Sequence, residues 1–156
     1  MAENPHFKEL LQRLNEFQVE YLVVGGYAFM KYTEPRYTKD LDIWVRSSPQ
    51  NARCVYQALN RFGAPLDHDQ ITVETFAEPR VVYQIGIAPM RIDIISEITG
   101  VRFSEAWKGR VAGTLFGIQV YFVSLEDLMA NKKAVRRDTD LEQLKRIAEI
   151  RNKKDK

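Results

Sequence analysis

At 156 residues, with 45% hydrophobic and 28% charged residues, the chain has the size and composition of one globular domain, which we expect to span 1–156 with a frayed tail at 151–156. A single cysteine, Cys54, excludes an internal disulfide, and two histidines do not indicate a His-based metal site or a Ser-His-Asp triad. The formal net charge of +2 does not by itself indicate nucleic-acid binding, and the lack of both an apolar run of about 18 residues and an apolar N-terminal signal predicts a cytoplasmic, non-membrane protein.

The first part of the chain alternates helical and strand patterns. Asn4 is a suitable N-cap and Pro5 a suitable first residue for a helix whose apolar residues recur at helical spacing. Short apolar runs predict strands, and Pro35 ends the second helix. In order, these patterns predict a helix over 5–18, a strand over 21–24, a helix over 26–33, a strand over 40–45 and a helix over 49–62.

The second part of the chain predicts two hairpins followed by two helices. Residues 64–80 are the least regular, with one helical turn over 72–77, and 101–107 fits a short helix or a loop. The hairpins are strands 81–87 and 91–95 joined across 88–90, and strands 111–115 and 118–123 joined across 116–117. The helices span 125–135 and 138–150, and the second is predicted to bury Leu141, Leu144, Ile147 and Ala148. Together, the predicted helices and strands indicate an α+β fold, with helices packed on a mixed, mostly antiparallel sheet.

Two glycines and two aspartates flank the second helix and carry the first chemical signal. Gly25 and Gly26 follow a strand, where they let the backbone approach a ligand and expose its N–H groups. Asp40 and Asp42 lie at i and i+2 of the next strand, so they share one face, with Cα atoms about 6 to 7 Å apart. At about 6 Å, two ionised carboxylates repel by about 3 kcal/mol at an effective dielectric of 20. The stretch therefore combines a phosphate cradle with a carboxylate pair.

A third acid, Asp93, lies in the middle of another apolar strand, where acidic residues are disfavoured. If it faces the same place, a divalent cation offsets the repulsion, and oxygen ligands beside phosphate suit Mg²⁺, or the chemically similar Mn²⁺, best. Two metal ions held by carboxylates next to phosphates perform in-line nucleotidyl transfer. The alternative is that Asp40 and Asp42 lie on a solvated strand face or pair with Arg36 and Lys39.

Taken together, these motifs resemble the nucleotidyltransferase superfamily that includes DNA polymerase beta. The resemblance rests on Gly25-Gly26, on Arg36-x-Thr38-x-Asp40-Leu41-Asp42-Ile43 and on Arg91-Ile92-Asp93-Ile94. The later segments Ser124-Leu-Glu-Asp-Leu128, Lys132 and Arg137-Asp138-x-Asp140-Leu141 are similar to a small stand-alone branch related to the type IV toxin–antitoxin nucleotidyltransferases. The resemblance covers most of residues 20–145.

The resemblance implies roles for these residues. Asp40 and Asp42 would bind both metals, and Asp93 would bind the catalytic metal and accept the proton of the attacking hydroxyl. Gly25 and Gly26 would hold the triphosphate. Many family members have Ser after the glycines, where this chain has Tyr27, so the phosphates would be held by backbone N–H groups alone.

Several other residues have two interpretations each. Lys132 continues an apolar helical stripe, so its side chain either extends to solvent or reaches an anion. The resemblance implies that this anion is the triphosphate. Arg36, close to Thr38 on the loop before the first aspartate, either binds a phosphate or pairs with an aspartate. Trp44 shares the carboxylate face, and core packing is favoured over stacking on a base. The segment 137–140 is expected to form a helix N-terminus with an ion-pair network, and the basic residues of 132–137 a solvated face rather than an RNA contact.

The predicted function is metal-dependent transfer of a nucleoside monophosphate from an NTP, with ATP the first candidate, to a hydroxyl, releasing pyrophosphate. Protein hydroxyls, tRNA and small molecules remain open as acceptors. The main alternative is an antitoxin or binding module of the same fold that acts through a partner protein. A further alternative is an antibiotic-type adenylyltransferase, and because the chain has little room for an acceptor domain, this alternative predicts a homodimer.

Overall fold

A computed structural model describes residues 4–86 and 90–154, so the predicted turn at 88–90 lies largely outside the described residues. The helices are α1 (Pro5–Glu16), α2 (Gly25–Tyr32), α3 (Pro49–Phe62), α4 (Phe103–Lys108), α5 (Leu125–Val135) and α6 (Asp138–Lys154), with a 3₁₀ helix at Val73–Ala77. The strands are β1 (Tyr21–Val24), β2 (Asp40–Val45), β3 (Val82–Ile85), β4 (Arg91–Ile95), β5 (Val111–Leu115) and β6 (Ile118–Phe122). Within these ranges, no helix combines the length and apolar character needed to cross a membrane.

The six strands form one sheet in the order β3-β4-β2-β1-β6-β5. The pairs β1/β2, β3/β4 and β5/β6 are antiparallel, while β1/β6 and β2/β4 are parallel. The predicted mixed, mostly antiparallel sheet with helices packed on it is therefore confirmed. The predicted second hairpin is also confirmed, and its turn residues Phe116 and Gly117 both have positive φ, as a tight two-residue hairpin turn requires.

The alternation of side chains in β2 separates the core from the candidate site. Leu41 and Ile43 are fully buried, whereas Asp40 and Asp42 on the other face are half-buried. Helices α1 and α3 pack against each other and carry much of the apolar core. Both begin with a side-chain cap: Asn4, as predicted, and Ser48 accept hydrogen bonds from backbone N–H groups of the first helical turn.

The last helix departs from the prediction in its length and in the face that it buries. It continues to Lys154, so the tail predicted to fray from 151 is helical as far as it is described. Leu141, predicted to be buried, is 43% exposed, and Ala148 is also exposed, whereas Ile147 is buried as predicted. The buried face of the helix starts one residue earlier, at Asp140, whose carboxylate lies in the interior and pairs with Lys132 and Arg137.

Candidate active site

The register of β2 and β4 brings the three aspartates together on one face of the sheet. The strands are parallel, with Asp40 opposite Arg91 and Asp42 opposite Asp93. Paired residues of neighbouring strands point to the same face, so the Cα atoms of Asp42 and Asp93 are about 5 Å apart on the face that also carries Asp40. All three acids are half-buried. The sequence identified these residues separately, and the pairing of two strands distant in sequence makes them neighbours.

Burial and the neighbouring carboxylates raise the pKa of Asp42 to about 7. Burial is the largest cause, followed by the charge of Asp93, a hydrogen bond with Asp93 and the charge of Asp40, while the charge of Arg137 acts in the opposite direction. One carboxylate oxygen of Asp40 and one of Asp93 are buried without a hydrogen-bond partner. Buried carboxylate oxygens without donors are costly, so this part of the sheet is an unfavourable place for three ionised acids alone.

The glycine pair lies directly against this cluster. Gly25 has φ of +70°, and a Cβ atom there would lie 2.1 Å from Oδ2 of Asp42. A Cβ atom on Gly26 would lie 2.8 Å from Oγ1 of Thr38. Only glycine therefore allows the start of α2 to approach Asp42 this closely. No side chain caps α2, so the N–H groups of its first turn remain available beside the carboxylates.

The tyrosine after the glycines points away from this cradle. Tyr27 is buried, with its ring edge-to-face against Phe7 at 6.1 Å and Phe116 at 5.5 Å between ring centroids. Its side chain belongs to the core between α1 and the β5/β6 turn. The position where the resemblance implies a phosphate-binding Ser thus serves packing in this chain.

The loop before β2 places its two predicted residues in different surroundings. Oγ1 of Thr38 lies 3.5 Å from the backbone oxygen of Asp40, next to Gly26. The guanidinium of Arg36 lies over the ring of Phe29 at 5.2 Å. Within the described residues Arg36 makes no ion pair with the aspartates, so it remains available to a phosphate, as one of its two interpretations requires.

The ion pair of the cluster involves Arg91, which the sequence did not identify. Its Nε lies 3.8 Å from Oδ1 of Asp40, whereas the alternative interpretation had assigned this pairing to Arg36 and Lys39. The signal was present in the Arg91-Ile92-Asp93 motif, but only the β2/β4 register shows that Arg91 lies opposite Asp40.

Lys132 is turned inward. It is 5% exposed, its Nζ donates a hydrogen bond to Oε1 of Gln143 and lies 3.8 Å from Oδ1 of Asp140, and it lies over the ring of Phe29 at 5.6 Å. Burial lowers the pKa of Lys132, and the charge of Asp140 opposes that effect. Of the two options from the sequence, Lys132 reaches an anion, and the anion that it contacts is Asp140. Its contact with a triphosphate stays a prediction.

Trp44, the other side chain on the carboxylate face of β2, belongs to the core. It is 1% exposed and packs edge-to-face on Phe103, with ring centroids 5.1 Å apart. Core packing, the favoured interpretation, is therefore what the structure shows, and Trp44 offers no free face to a nucleotide base.

The carboxylate oxygens of Asp40, Asp42 and Asp93 are the candidate ligands for a divalent cation. Across 4–86 and 90–154, no three His, Cys, Asp or Glu side chains already surround a common point as metal ligands. Asp42 and Asp93 adjoin, while Asp40 is directed to Arg91. The buried oxygens without partners on Asp40 and Asp93 and the raised pKa of Asp42 are what a site for a hard cation would show before the cation binds. Asp42 and Asp93 thus offer oxygen ligands of the kind that Mg²⁺ prefers, while Asp40 is held by Arg91.

Comparison with solved structures shows the class of fold. A candidate nucleotidyltransferase from Thermotoga maritima (TM1012) matches with a TM-score of 0.56 at 13% identity, over 97% of this chain and 96% of that chain. The lincosamide antibiotic adenylyltransferase LnuA, in its lincomycin-bound form, matches with a TM-score of 0.58 at 14% identity, over 95% of this chain and 98% of that chain. The fold is therefore the nucleotidyltransferase fold, as predicted.

The family follows from the sequence itself. Residues 4–156 match the family described as nucleotidyl transferase of unknown function (DUF2204), and the chain belongs to that family. No curated protein matches it. The predicted relation to the nucleotidyltransferase superfamily is confirmed, and the protein is a nucleotidyltransferase.

Proposed function

We propose that this enzyme transfers a nucleoside monophosphate from an NTP, with ATP as the first candidate, to a hydroxyl group. The observation that supports the proposal most is the pairing of Asp42 with Asp93 beside the uncapped start of α2. A carboxylate cluster that disfavours its own charge, next to backbone donors that favour phosphate, suits a substrate that brings both a cation and a polyphosphate. Divalent cations and nucleoside triphosphates occur together in the cytoplasm, where we place the reaction.

The residues divide into donors that hold the nucleotide and acids that perform chemistry. Backbone N–H groups at Gly25 and Gly26 would bind the phosphate chain, with Thr38 beside them and Arg36 over Phe29 in reach of the same anion. Asp93 would accept the proton of the acceptor hydroxyl. The hydroxyl oxygen forms a bond to the α-phosphorus, and the bond from that phosphorus to the bridging oxygen breaks, releasing pyrophosphate.

Asp40, Asp42 and Asp93 would hold Mg²⁺ or Mn²⁺. When bound, the cation supplies positive charge that neutralises the phosphates and orients them. In its absence, Asp42 and Asp93 share the cost of their proximity, which is visible in the raised pKa of Asp42. Arg91, 3.8 Å from Oδ1 of Asp40, would orient that carboxylate in the site.

The proposal is tested by binding and turnover in the same preparation. Calorimetry should show binding of an NTP with Mg²⁺ to the wild type, and pyrophosphate should be released when the acceptor is present. Asp42→Asn should lose turnover. The proposal fails if the wild type does not bind the Mg²⁺ complex of any NTP, or if the variant turns over at the wild-type rate.

A small-molecule hydroxyl is the first acceptor to test. LnuA, whose name describes an antibiotic adenylyltransferase, shares this fold over nearly the whole of both chains. This likeness supports a small molecule as the acceptor for a chain of this length. Protein hydroxyls and tRNA are the other arms of that test. Label from an α-labelled NTP should enter the small-molecule fraction of a lysate, and label in protein or RNA would move the assignment to those acceptors.

The rival proposal is a binding role, with the chain as an antitoxin or binding module that acts through a partner protein. The retention of all three aspartates in one cluster argues against a fold kept only for binding. A partner that copurifies with the chain, together with no pyrophosphate release, would favour the rival. The homodimer belongs instead to the small-molecule acceptor, and a monomeric mass in light scattering would count against it.

A further inference from the structure

Asp140 is a buried carboxylate whose contacts fix an arginine outside the residues assigned above. It is 2% exposed, at the start of α6. Its Oδ2 accepts hydrogen bonds from the backbone N of Arg137 at 3.0 Å and from Nε of Arg137 at 2.8 Å. Its Oδ1 accepts a third from Nη2 of Arg137 at 3.3 Å. Backbone and side chain of one arginine are thus held by one carboxylate, which leaves the guanidinium little freedom.

Lys132 fixes the carboxylate from the other side. Its Nζ lies 3.8 Å from Oδ1 of Asp140, in surroundings that bury both groups. Hydrogen bonds from Arg137, with the charges of Arg137 and Lys132, lower the pKa of Asp140, so the carboxylate is ionised at neutral pH. A buried ion pair is costly unless it is satisfied, and here three hydrogen bonds and two cations satisfy one acid. Such a network is a rigid support for whatever Arg137 presents.

Arg137 presents its far end to the solvent. Its side chain is 71% exposed although two of its nitrogens are held by Asp140. Nη1 has no hydrogen-bond partner among residues 4–86 and 90–154. The same Asp140 lies 3.8 Å from Nζ of Lys132, which in turn lies over the ring of Phe29 in α2 at 5.6 Å. The guanidinium is therefore fixed next to the groups that pack on α2, the helix that begins at Gly25, and it has donors to spare.

The surroundings of Arg137 favour an anionic ligand. Arg36 and Lys132 both lie over the ring of Phe29 in α2, at 5.2 and 5.6 Å. Lys132 and Arg137 both contact the carboxylate of Asp140, so three cations gather beside α2. Cations next to the helix that begins at Gly25 fit a polyphosphate better than a neutral acceptor.

We propose that Arg137 binds the phosphate chain of the nucleotide and that Asp140, supported by Lys132, is the residue that positions it. This inference rests on the proposed function. It assigns to Arg137 the phosphate contact that the resemblance had assigned to Lys132. In this arrangement Lys132 acts through Asp140 and Arg137, and Arg137 touches the substrate. The exposed end of a guanidinium that is fixed at its other end is preorganised for two hydrogen bonds to phosphate oxygens.

The test measures affinity for an ATP analogue that cannot be cleaved at the α-phosphate, and for AMP, both with Mg²⁺, by calorimetry. We expect Arg137→Gln to weaken the triphosphate analogue about 10- to 100-fold, the size of a lost charge-assisted contact, while AMP affinity changes little. Arg137→Lys should recover part of the loss, since it restores charge without the planar donors. Asp140→Asn should weaken the triphosphate in the same direction. Lys133→Gln, an exposed neighbour, is the matched control and should bind as the wild type does.

A merely structural role would not change the ratio of triphosphate to AMP affinity. If the wild type binds the analogue and Arg137→Gln keeps that ratio within about twofold, the inference is wrong while the proposed function stands. If the wild type binds neither ligand, the proposed function fails and the inference with it. Arg137→Gln changes an exposed side chain, so it keeps the test valid even if Asp140→Asn does not fold. With Asp140→Asn folded, the double variant should lose no more than Arg137→Gln does.

Discussion

Replacing Asp42 by Asn should stabilise the protein, by an amount that depends on pH. In the folded chain the pKa of Asp42 is raised to about 7, mainly through burial and the charge of Asp93. In the unfolded chain an Asp has a pKa of about 3.9. The folded state therefore binds this proton more tightly, and the stability of the wild type falls as the pH rises from about 4 to about 7.

The size of the effect follows from that difference in pKa. Each unit corresponds to about 1.4 kcal/mol, so the raised pKa of Asp42 lowers the free energy of unfolding by on the order of 4 kcal/mol at pH 8 and by only about 1 to 2 kcal/mol at pH 5, where Asp42 is ionised mainly in the unfolded chain. Asn has the shape of the neutral carboxyl and keeps the contact with Gly25. We expect Asp42→Asn to be more stable than the wild type at pH 8 by on the order of 4 kcal/mol, and the gain to shrink steadily towards pH 4.

Urea unfolding at pH 5, 6, 7 and 8, without divalent cations, measures this dependence. Asp67→Asn is the control, because Asp67 is exposed and far from the cluster in sequence and should show no such dependence. Asp42→Asn should also abolish nucleotidyl transfer, so that a gain in stability accompanies a loss of function. A gain that is equal at pH 5 and pH 8, or a loss at pH 8, would refute the electrostatic account of the cluster.

Three other changes test the neighbouring parts of the site. Gly25→Ala should lower both stability and nucleotide binding, because the new Cβ would lie 2.1 Å from Oδ2 of Asp42. Gly63→Ala is the control, since Gly63 also has positive φ but open space around it, and it should cost only the backbone strain; thermal unfolding and calorimetry of both variants separate the two effects. Tyr27→Ser should destabilise the fold by about 3 kcal/mol without improving turnover, since the ring is a core residue; urea unfolding of Tyr27→Phe, which should be nearly neutral, is the comparison, and faster turnover in the Ser variant would contradict our assignment. Arg91→Gln should tighten Mn²⁺ binding several-fold in the absence of nucleotide because it frees Asp40, and unchanged or weaker binding in a titration would show that the ion pair does not compete with the metal.

The parts of the site that lie on one element were predictable from the sequence. The Gly25-Gly26 pair and the spacing of Asp40 and Asp42 are local patterns with a direct physical meaning, and strand β2 begins and ends where its apolar alternation indicates. The approach of Asp42 to Gly25 explains why the pair is glycine. These residues needed only the geometry of a strand and of a helix start.

The parts that depend on pairing between distant elements were not predictable. That Arg91 holds Asp40 follows from the parallel register of β2 and β4, which no local pattern encodes. The burial of Asp140 could not be read from hydrophobic periodicity, which assigns the inner face of α6 to Leu141 and Leu144. Asp140 takes the buried place predicted for Leu141, where it pairs with Lys132 and Arg137, while Ile147 stays buried as predicted, so a polar contact overrode the apolar pattern only at the start of the helix.

The central claim is that this chain transfers the nucleoside monophosphate part of an NTP by means of its carboxylate cluster. The most direct measurement incubates the purified protein with lysate, Mg²⁺ and ATP labelled either at the α- or at the γ-phosphate, with Asp93→Asn as the control. We predict that α-label becomes attached to an acceptor, that γ-label leaves as pyrophosphate, and that Asp93→Asn transfers neither. Transfer of γ-label to an acceptor, or equal transfer of α-label by Asp93→Asn, would contradict the account.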